Sequence, residues 1–473
     1  MDVQKGIGES EKKEDEGADA FQGVLEAVSD EFSREWENSD DLLKSVRLER
    51  EKRAIIGYEK EVRYYKEKIR EILRRKRMTG ARYPVWYPNL VEAVFAELYG
   101  LAGLAPWAYD MDEKYRLSSS AKLIGDRLYC LMDGKSVCMP QRIPEKRRAQ
   151  LIRSLLLATP EERVEYGFHE VYLQNGIRIT IYSGHRIKKG QEVIVLRKYI
   201  LREMSFEELV RLRTIPAGSA ELFQSMIRLG FNVIMAGQVR SGKTTFLQVW
   251  QMQEDPSLEG LAIATDPETD WHALMPEAPV MQIVADGQDL DTLTKSLVRG
   301  DNDYVLLEEM RDAAAFRLAL DITSLGTRRS KATIHDQSAL DVPYRMASEI
   351  ASHYGGNVRD LIARVYQNFD LILEFTQDPK NRARKIMKGM IALDRDEAED
   401  RVFAYRICRY DFIRNVWRWS SNFHLKKAEL ADLDPEEYRH MLLILSNLSE
   451  ESNLPGGNII EPAYYQRRRQ KEE

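Results

Sequence analysis

The sequence predicts an α/β chain: a parallel sheet covered by helices on both faces, with a smaller α+β domain and a helical extension on its N-terminal side. Three observations carry that expectation. Residues 237–244 read Gly237-Gln238-Val239-Arg240-Ser241-Gly242-Lys243-Thr244, between an apolar run at 231–236 and a helix-opening stretch at 245–250. Around it, apolar runs at Val233, Leu261, Val280, Tyr304 and Lys331 alternate with helical segments, as parallel strands joined by crossover helices do. Upstream, Asp133-Gly134 and Asn175-Gly176 each separate two β-rich runs, the mark of antiparallel hairpins.

Taken in chain order, residues 1–42 are polar and acidic, and Met1 to Ala20 is expected to be disordered. Residues 43–80 read as one charged helix, with Leu48, Ile55, Tyr58, Val62, Tyr65, Ile69 and Ile72 at heptad-like spacing. That stripe suits either a partner-binding helix or one laid along the protein's own body. Arg74-Arg75-Lys76-Arg77 suits a helix C-terminus, where cations complement the dipole. Pro84 and Pro88 mark a break, and an α+β domain is expected over 90–204. Ser205 and Glu208 have the spacing of a capping box, opening a domain that runs over 205–411. Its last three strands, at 369–375, 385–393 and 402–408, are expected at an antiparallel edge. Residues 412–473 read as a C-terminal extension: a Trp-rich connector, a helix at 435–445, and a tail ending Arg467-Arg468-Arg469.

Composition excludes several classes. The 473 residues carry 70 Lys and Arg against 76 Asp and Glu, a net charge of −6, so no basic excess points to nucleic acid. Cys130, Cys138 and Cys408 show neither a disulfide framework nor zinc spacing with histidine. The N-terminus lacks a signal-peptide profile, and no apolar run approaches the roughly 20 residues of a membrane helix. The expectation is a cytoplasmic protein whose membrane contact is peripheral.

The chemistry of 237–245 is that of a phosphate loop. Gly237 and Gly242 let the backbone turn so that successive N–H groups, from Gln238, Val239, Arg240 and Ser241 onward, point at phosphate oxygens. Lys243 reaches the β- and γ-phosphates, the Thr244 hydroxyl ligates Mg²⁺, and the helix opening at Thr244-Thr245 adds the positive end of its dipole. Such a site needs an acidic residue at the end of a neighbouring strand, and Tyr304-Val305-Leu306-Leu307-Glu308-Glu309 ends in two. Lys331-Ala332-Thr333-Ile334-His335 is a short strand ending in histidine.

These segments together resemble the secretion ATPases of the type II/type IV secretion and type IV pilus superfamily. The resemblance rests on the phosphate loop, Leu307-Glu308-Glu309-Met310-Arg311-Asp312, Phe316-Arg317-Leu318-Ala319-Leu320 and Thr333-Ile334-His335, in that order. Upstream, Gly100 to Trp107, Asn175-Gly176-Ile177-Arg178 and Leu196-Arg197-Lys198-Tyr199 resemble segments of the family's N-domain. Coverage runs from about 90 to 410, and the tight-adherence pilus and conjugative-secretion branch is the most similar. The resemblance implies a RecA-like P-loop NTPase core and a PAS-like N-domain. It implies ATP and Mg²⁺, assembly into a ring, a hexamer, and an inner-membrane platform protein as partner. It assigns Glu309 as the Walker B glutamate that helps hold Mg²⁺ with Thr244, and His335 as the γ-phosphate sensor. Arg178 and Arg197 become the N-domain arginines that reach the nucleotide.

The chain departs from the pattern in places. The family's acidic box reads Glu-Asp-Pro/Ala-x-Glu, whereas this chain has Thr265-Asp266-Pro267-Glu268-Thr269-Asp270. Threonine cannot accept a proton from water near neutral pH as a carboxylate does, which leaves Asp266, Glu268 and Asp270 as candidates. Glu308 stands where the family has Gly, and Gly326-Thr327 where it has Gly-His. Two functions follow: an ATP-hydrolysing ring motor for pilus assembly or export, or a nucleotide-gated scaffold with weak turnover because of Thr265. A DNA translocase is weaker, since Arg328-Arg329 has no aromatic-basic platform beside it.

Overall fold

The computed structural model describes residues 3–37, 40–159, 167–199, 204–265, 267–285, 287–297, 299–422, 428–455 and 458–466. It divides into two compact units, Met1–Ile200 and Leu201–Glu473. Both are mixed α/β.

The first unit is built on a six-stranded antiparallel sheet in the order β3-β2-β1-β6-β5-β4. Its strands are β1 (Ser120–Ile124), β2 (Arg127–Met132), β3 (Lys135–Arg142), β4 (Phe168–Tyr172), β5 (Arg178–Tyr182) and β6 (Val193–Arg197). Alternate residues such as Leu123, Leu128, Ile179, Ile181, Ile194 and Leu196 are buried in a core shared with Leu151 and Leu155 of the helix Glu145–Leu157. Asp133 and Gly134, both at positive φ, turn β2 into β3.

Two expectations fail here. The acidic N-terminal segment contains a helix, Val3–Glu37, where disorder was expected. Phe21, Val24, Val28 and Phe32 are buried, and Phe32 meets Tyr99 edge-on at 5.0 Å between ring centroids. Their spacing of three, four and four is one helical stripe, which the surrounding acidic residues conceal in an averaged composition. The charged helix over 43–80 is two helices, Asp41–Ile55 and Glu59–Arg75. Gly57, at φ 97°, lies in the break, a conformation that glycine tolerates and helices do not. The second helix lies on the unit's own core through Tyr65, Ile69, Ile72 and Leu73. Lys76 pairs with Glu31 at 3.0 Å, and Arg75 pairs with the same carboxylate, so this basic run is tied to the first helix.

The second unit contains a ten-stranded sheet in the order β15-β14-β13-β12-β7-β11-β10-β8-β9, with β16 also paired to β14. The strands are β7 (Val233–Gly237), β8 (Gly260–Ala264), β9 (Val280–Val284), β10 (Tyr304–Met310), β11 (Lys331–Ile334), β12 (Leu371–Gln377), β13 (Lys385–Asp396), β14 (Arg401–Asp411), β15 (Val416–Trp419) and β16 (Ile459–Ile460). From β12 to β9 every pairing is parallel, and β13 to β15 continue antiparallel. Both faces are covered. Val233, Met235 and Leu306 pack with Phe223, Phe246 and Trp250 on one face, and Ile234, Ala236, Val305 and Ile334 with Phe316, Met346 and Tyr366 on the other.

The stretch past 411 is not a separate extension. β15 and β16 join the sheet through β14. The helix Pro435–Glu451 buries Met441, Ile444, Leu445 and Leu448 in the same core as β7, and its Glu437 pairs with Arg228 at 2.6 Å. Apolar side chains at helical spacing need a partner surface, and here the sheet domain provides it. The run Arg467-Arg468-Arg469 lies outside the described residues.

Candidate active site

The candidate site is assembled at the C-terminal ends of β7, β8, β10 and β11. β7 is buried along its whole length and feeds the phosphate loop into the helix Lys243–Gln251. Gly237 has no room for a side chain, since a Cβ there would run into the carbonyl oxygen of Phe375 on β12. Gly242 sits at φ 96°, the left-handed region where a side chain is strained. Arg240 takes the same region at φ 62°. Gln238, Val239 and Arg240 are exposed, Ser241 is buried, and Thr244 and Thr245 are half-buried. Among the described residues the buried Ser241 hydroxyl has no hydrogen-bond partner.

Lys243 is buried. Its ammonium donates to the carbonyl oxygens of Gly237 and Gln238, each at 3.0 Å, and lies 3.0 Å from Nδ1 of His335. On the far side of the same ring, Nε2 of His335 lies 2.5 Å from Oε1 of Glu309. An ammonium can only donate, so Nδ1 accepts and Nε2–H donates, which fixes the tautomer of a neutral ring. Arg311 completes the chain by pairing with Glu309. Burial pushes the Lys243 ammonium down to about 8, against the opposing pull of Glu309 and Glu268. Burial would raise the Glu309 carboxyl, but His335 and Arg311 outweigh it and hold it down at about 2.

The backbone explains how Glu309 comes to face His335. β10 and β11 slip register between Leu307 and Met310, and Glu309 occupies φ 63° in that bulge. Its N–H donates to Oγ1 of Thr333 at 2.8 Å. A left-handed glutamate is strained by about 1–3 kcal/mol and persists only where its surroundings hold it.

A second carboxylate serves the other side. Thr244 Oγ1 donates to Oε2 of Glu268 at 3.0 Å, so Glu268 and not Glu309 faces the expected Mg²⁺-ligating hydroxyl. Asp270 is engaged elsewhere: it caps the helix Trp271–Leu274, accepting from the Ala273 N–H at 3.0 Å. Asp266 lies outside the described residues, and Thr265 is half-buried at the end of β8. Sequence reasoning took Glu308 only as a departure from the family pattern. It is buried beside the site, accepting from Trp271 Nε1 at 2.6 Å and from the Glu268 N–H at 3.3 Å. Burial raises its carboxyl to about 7, despite these bonds. A charged residue in an apolar strand was the available signal.

Arg178 and Arg197 belong to the first unit, where they are opposite one another across β5 and β6. Arg178 pairs with Glu170 on β4, and Arg197 is exposed.

The residues of the second unit fit a triphosphate and Mg²⁺. A turn with glycine at 237 and 242, a buried lysine, a buried serine hydroxyl and a hydroxyl–carboxylate pair converge on one loop. Among the described residues no group of three or more His, Cys, Asp or Glu is arranged for a metal. Thr244 would hold Mg²⁺, with phosphate oxygens and water completing its shell.

The fold and this loop define a mixed α/β protein with a phosphate-binding motif at the tip of a central parallel strand. Residues 187–367 match the family model of type II/IV secretion system proteins. A curated relative, the probable conjugal transfer protein TrbB of Sinorhizobium fredii, is 26% identical over 208 residues. The match covers 42% of this chain and spans about 62% of the relative's length. Among solved structures, the ATPase DotB of Legionella pneumophila is similar at 13% identity and a TM-score of 0.42, over 76% of this chain and 89% of its own. The pilus retraction motor PilT with bound ADP is similar at 16% identity and 0.43, over 72% and 92%.

Proposed function

We propose that this chain is the ATP-binding and ATP-hydrolysing subunit of a ring motor, a hexamer, in a type IV pilus or type II/IV secretion-like machine, powering pilus assembly or substrate export. The observation that carries the reading is the run Lys243–His335–Glu309–Arg311, which joins the phosphate loop to the ends of β10 and β11. Support comes also from the matched family segment. The conjugal-transfer relative supports the conjugative branch. The order β12-β7-β11-β10-β8 supports a RecA-like core, and the antiparallel sheet of the first unit supports a PAS-like N-domain.

The residues divide the work. On binding ATP, Lys243 exchanges the carbonyls of Gly237 and Gln238 for β- and γ-phosphate oxygens, joined by the loop N–H groups. His335, already aligned, reports the γ-phosphate to Glu309. A carboxyl held near 2 is a poor proton acceptor, so Glu309 acts through its charge, on the water shell of Mg²⁺. Mg²⁺ would neutralise charge on the β- and γ-oxygens, held by Thr244. Glu268, against Thr244, is the carboxylate placed to orient attacking water. Arg178 and Arg197 would offset charge spreading onto the transferred phosphoryl group.

The machine proposed has an inner-membrane platform protein as partner and works in the cytoplasm, peripheral to the inner face of the membrane. No described helix is long and apolar enough to cross a membrane. With a net charge of −6, strong nucleic-acid binding is not proposed. The alternative is a nucleotide-gated scaffold, motivated by Thr265, and Glu268 weighs against it by supplying a carboxylate three residues on. Steady-state phosphate release by the purified ring tests both. Turnover that Lys243→Ala abolishes supports the motor, whereas no turnover by the unaltered ring, or equal turnover by the variant, contradicts it.

A further inference from the structure

Glu308 has no place in the chemistry above, yet it is a carboxylate buried in the central sheet of a nucleotide site. On the parallel ladder its Cα partner is Ala264, the last residue of β8 and the neighbour of Thr265. Thr265 follows directly after β8, so across this ladder a hydroxyl stands next to the end of one strand and the Glu308 carboxylate on the other.

Its orientation is set by the ladder. Glu308 lies on the same face as Tyr304 and Leu306, the face that packs with Phe246 and Trp250 of the phosphate-loop helix. Glu309, turned by the bulge, goes to His335. Oε1 of Glu308 accepts from the buried indole of Trp271 at 2.6 Å, and Oε2 accepts from the backbone N–H of Glu268 at 3.3 Å. The loop is pinned further by Gln282, which donates to the Thr269 carbonyl at 2.9 Å and accepts from the Trp271 N–H at 3.2 Å, and by Gln248, which donates to Thr269 Oγ1 at 3.0 Å. The product of these contacts is a fixed backbone at 267–271 that delivers the Glu268 side chain to Thr244.

Resting on the motor reading above, we propose that Glu308 is a positioning residue for hydrolysis: its carboxylate grips the 267–271 loop by two acceptor oxygens and so holds Glu268 against the Mg²⁺-ligating threonine. In this way the chain compensates for Thr265. Its bonds to Trp271 and to the Glu268 backbone both come from N–H donors, one to each oxygen, so both oxygens accept, with the Thr269 hydroxyl as a further partner. Glutamine has one acceptor and one NH₂ group, and its NH₂ would face a donor at one of the two contacts.

Glu308→Gln is therefore a sharp test in the full-length ring. It is expected to lower kcat by about 10–100-fold, the usual cost of a lost orienting partner, while the Kd for a nonhydrolysable ATP analogue and the melting temperature stay near the unaltered values. Because Glu308 acts through Glu268, the two effects should not multiply: in a Glu268→Gln background the second substitution should cost little more. Unchanged kcat in Glu308→Gln, or penalties that multiply in the double variant, would overturn the inference. If Glu308→Gln does not fold, Trp271→Phe removes the indole donor and carries the same cycle with the same outcomes. Failure of the unaltered ring to turn over ATP would instead defeat the motor reading, so the two failures are separable.

Discussion

Nζ of Lys243 lies 3.0 Å from Nδ1 of His335, 92 residues further along the chain. The contact crosses from the loop after β7 to the end of β11, strands that lie side by side in parallel. Sheet pairing alone brings the two ends together, and the histidine then spans the gap to Glu309. In the motor proposed above, a change at the phosphate end of Lys243 is carried by this contact to Glu309.

His335→Ala should separate binding from turnover. It removes one of the acceptors of Lys243 and one of the partners of Glu309 at once, but leaves the loop amides and Thr244 intact. The expected outcome is a fall in kcat of about 10–100-fold, as for other lost orienting groups, with a smaller change in nucleotide affinity. Steady-state kinetics beside equilibrium binding checks this, and an unaltered kcat would exclude the relay.

The lowered lysine predicts a pH signature. In the absence of nucleotide, burial holds Lys243 at about 8, below its ordinary 10.5. Between those values the unfolded chain binds the proton and the folded chain does not, so this residue's contribution makes the fold more stable as pH rises from about 8 to 10.5. Binding runs the other way, because a triphosphate favours the ammonium. At pH 8.5 nucleotide binding should take up a proton, seen as a dependence of calorimetric heat on the buffer's ionisation enthalpy. Lys243→Arg, always charged, should abolish that dependence.

The N-terminal helix has a stability test. Phe32, 2% exposed, packs among Tyr65 and Tyr99. Phe32→Ala should destabilise the first unit by about 3–5 kcal/mol, read by chemical denaturation. A change near zero would mean that this helix is not docked in solution.

Much of this architecture is legible in the sequence for physical reasons. β7, β8, β10 and β11 are short apolar runs because both faces of the sheet are covered, and the glycines of the phosphate loop stand where a Cβ has no space or the backbone is left-handed. The hairpins of the first unit are legible from Asp133-Gly134 and Asn175-Gly176, since few residues take those turns. Other features depend on contacts between residues far apart in the chain. Phe21 to Phe32 is a helical stripe hidden among acidic residues. Trp417 and Trp419 look like connector residues until β15 pairs with β14. The bulge that turns Glu309 toward His335, and thereby leaves Glu308 facing Trp271, is a register slip between two strands, and local pattern does not encode it. For the same reason, the spacing of the acidic box does not show that Glu268 faces Thr244 while Asp270 caps a helix.

The most direct measurement is calorimetric titration of the full-length protein with a nonhydrolysable ATP analogue and Mg²⁺, beside Lys243→Ala. Saturable binding by the unaltered chain, weakened at least about ten-fold in the variant, which is about 1.4 kcal/mol, is the predicted result. No heat of binding over a range of temperatures, or equal affinity in the two proteins, would contradict a phosphate site built on Lys243.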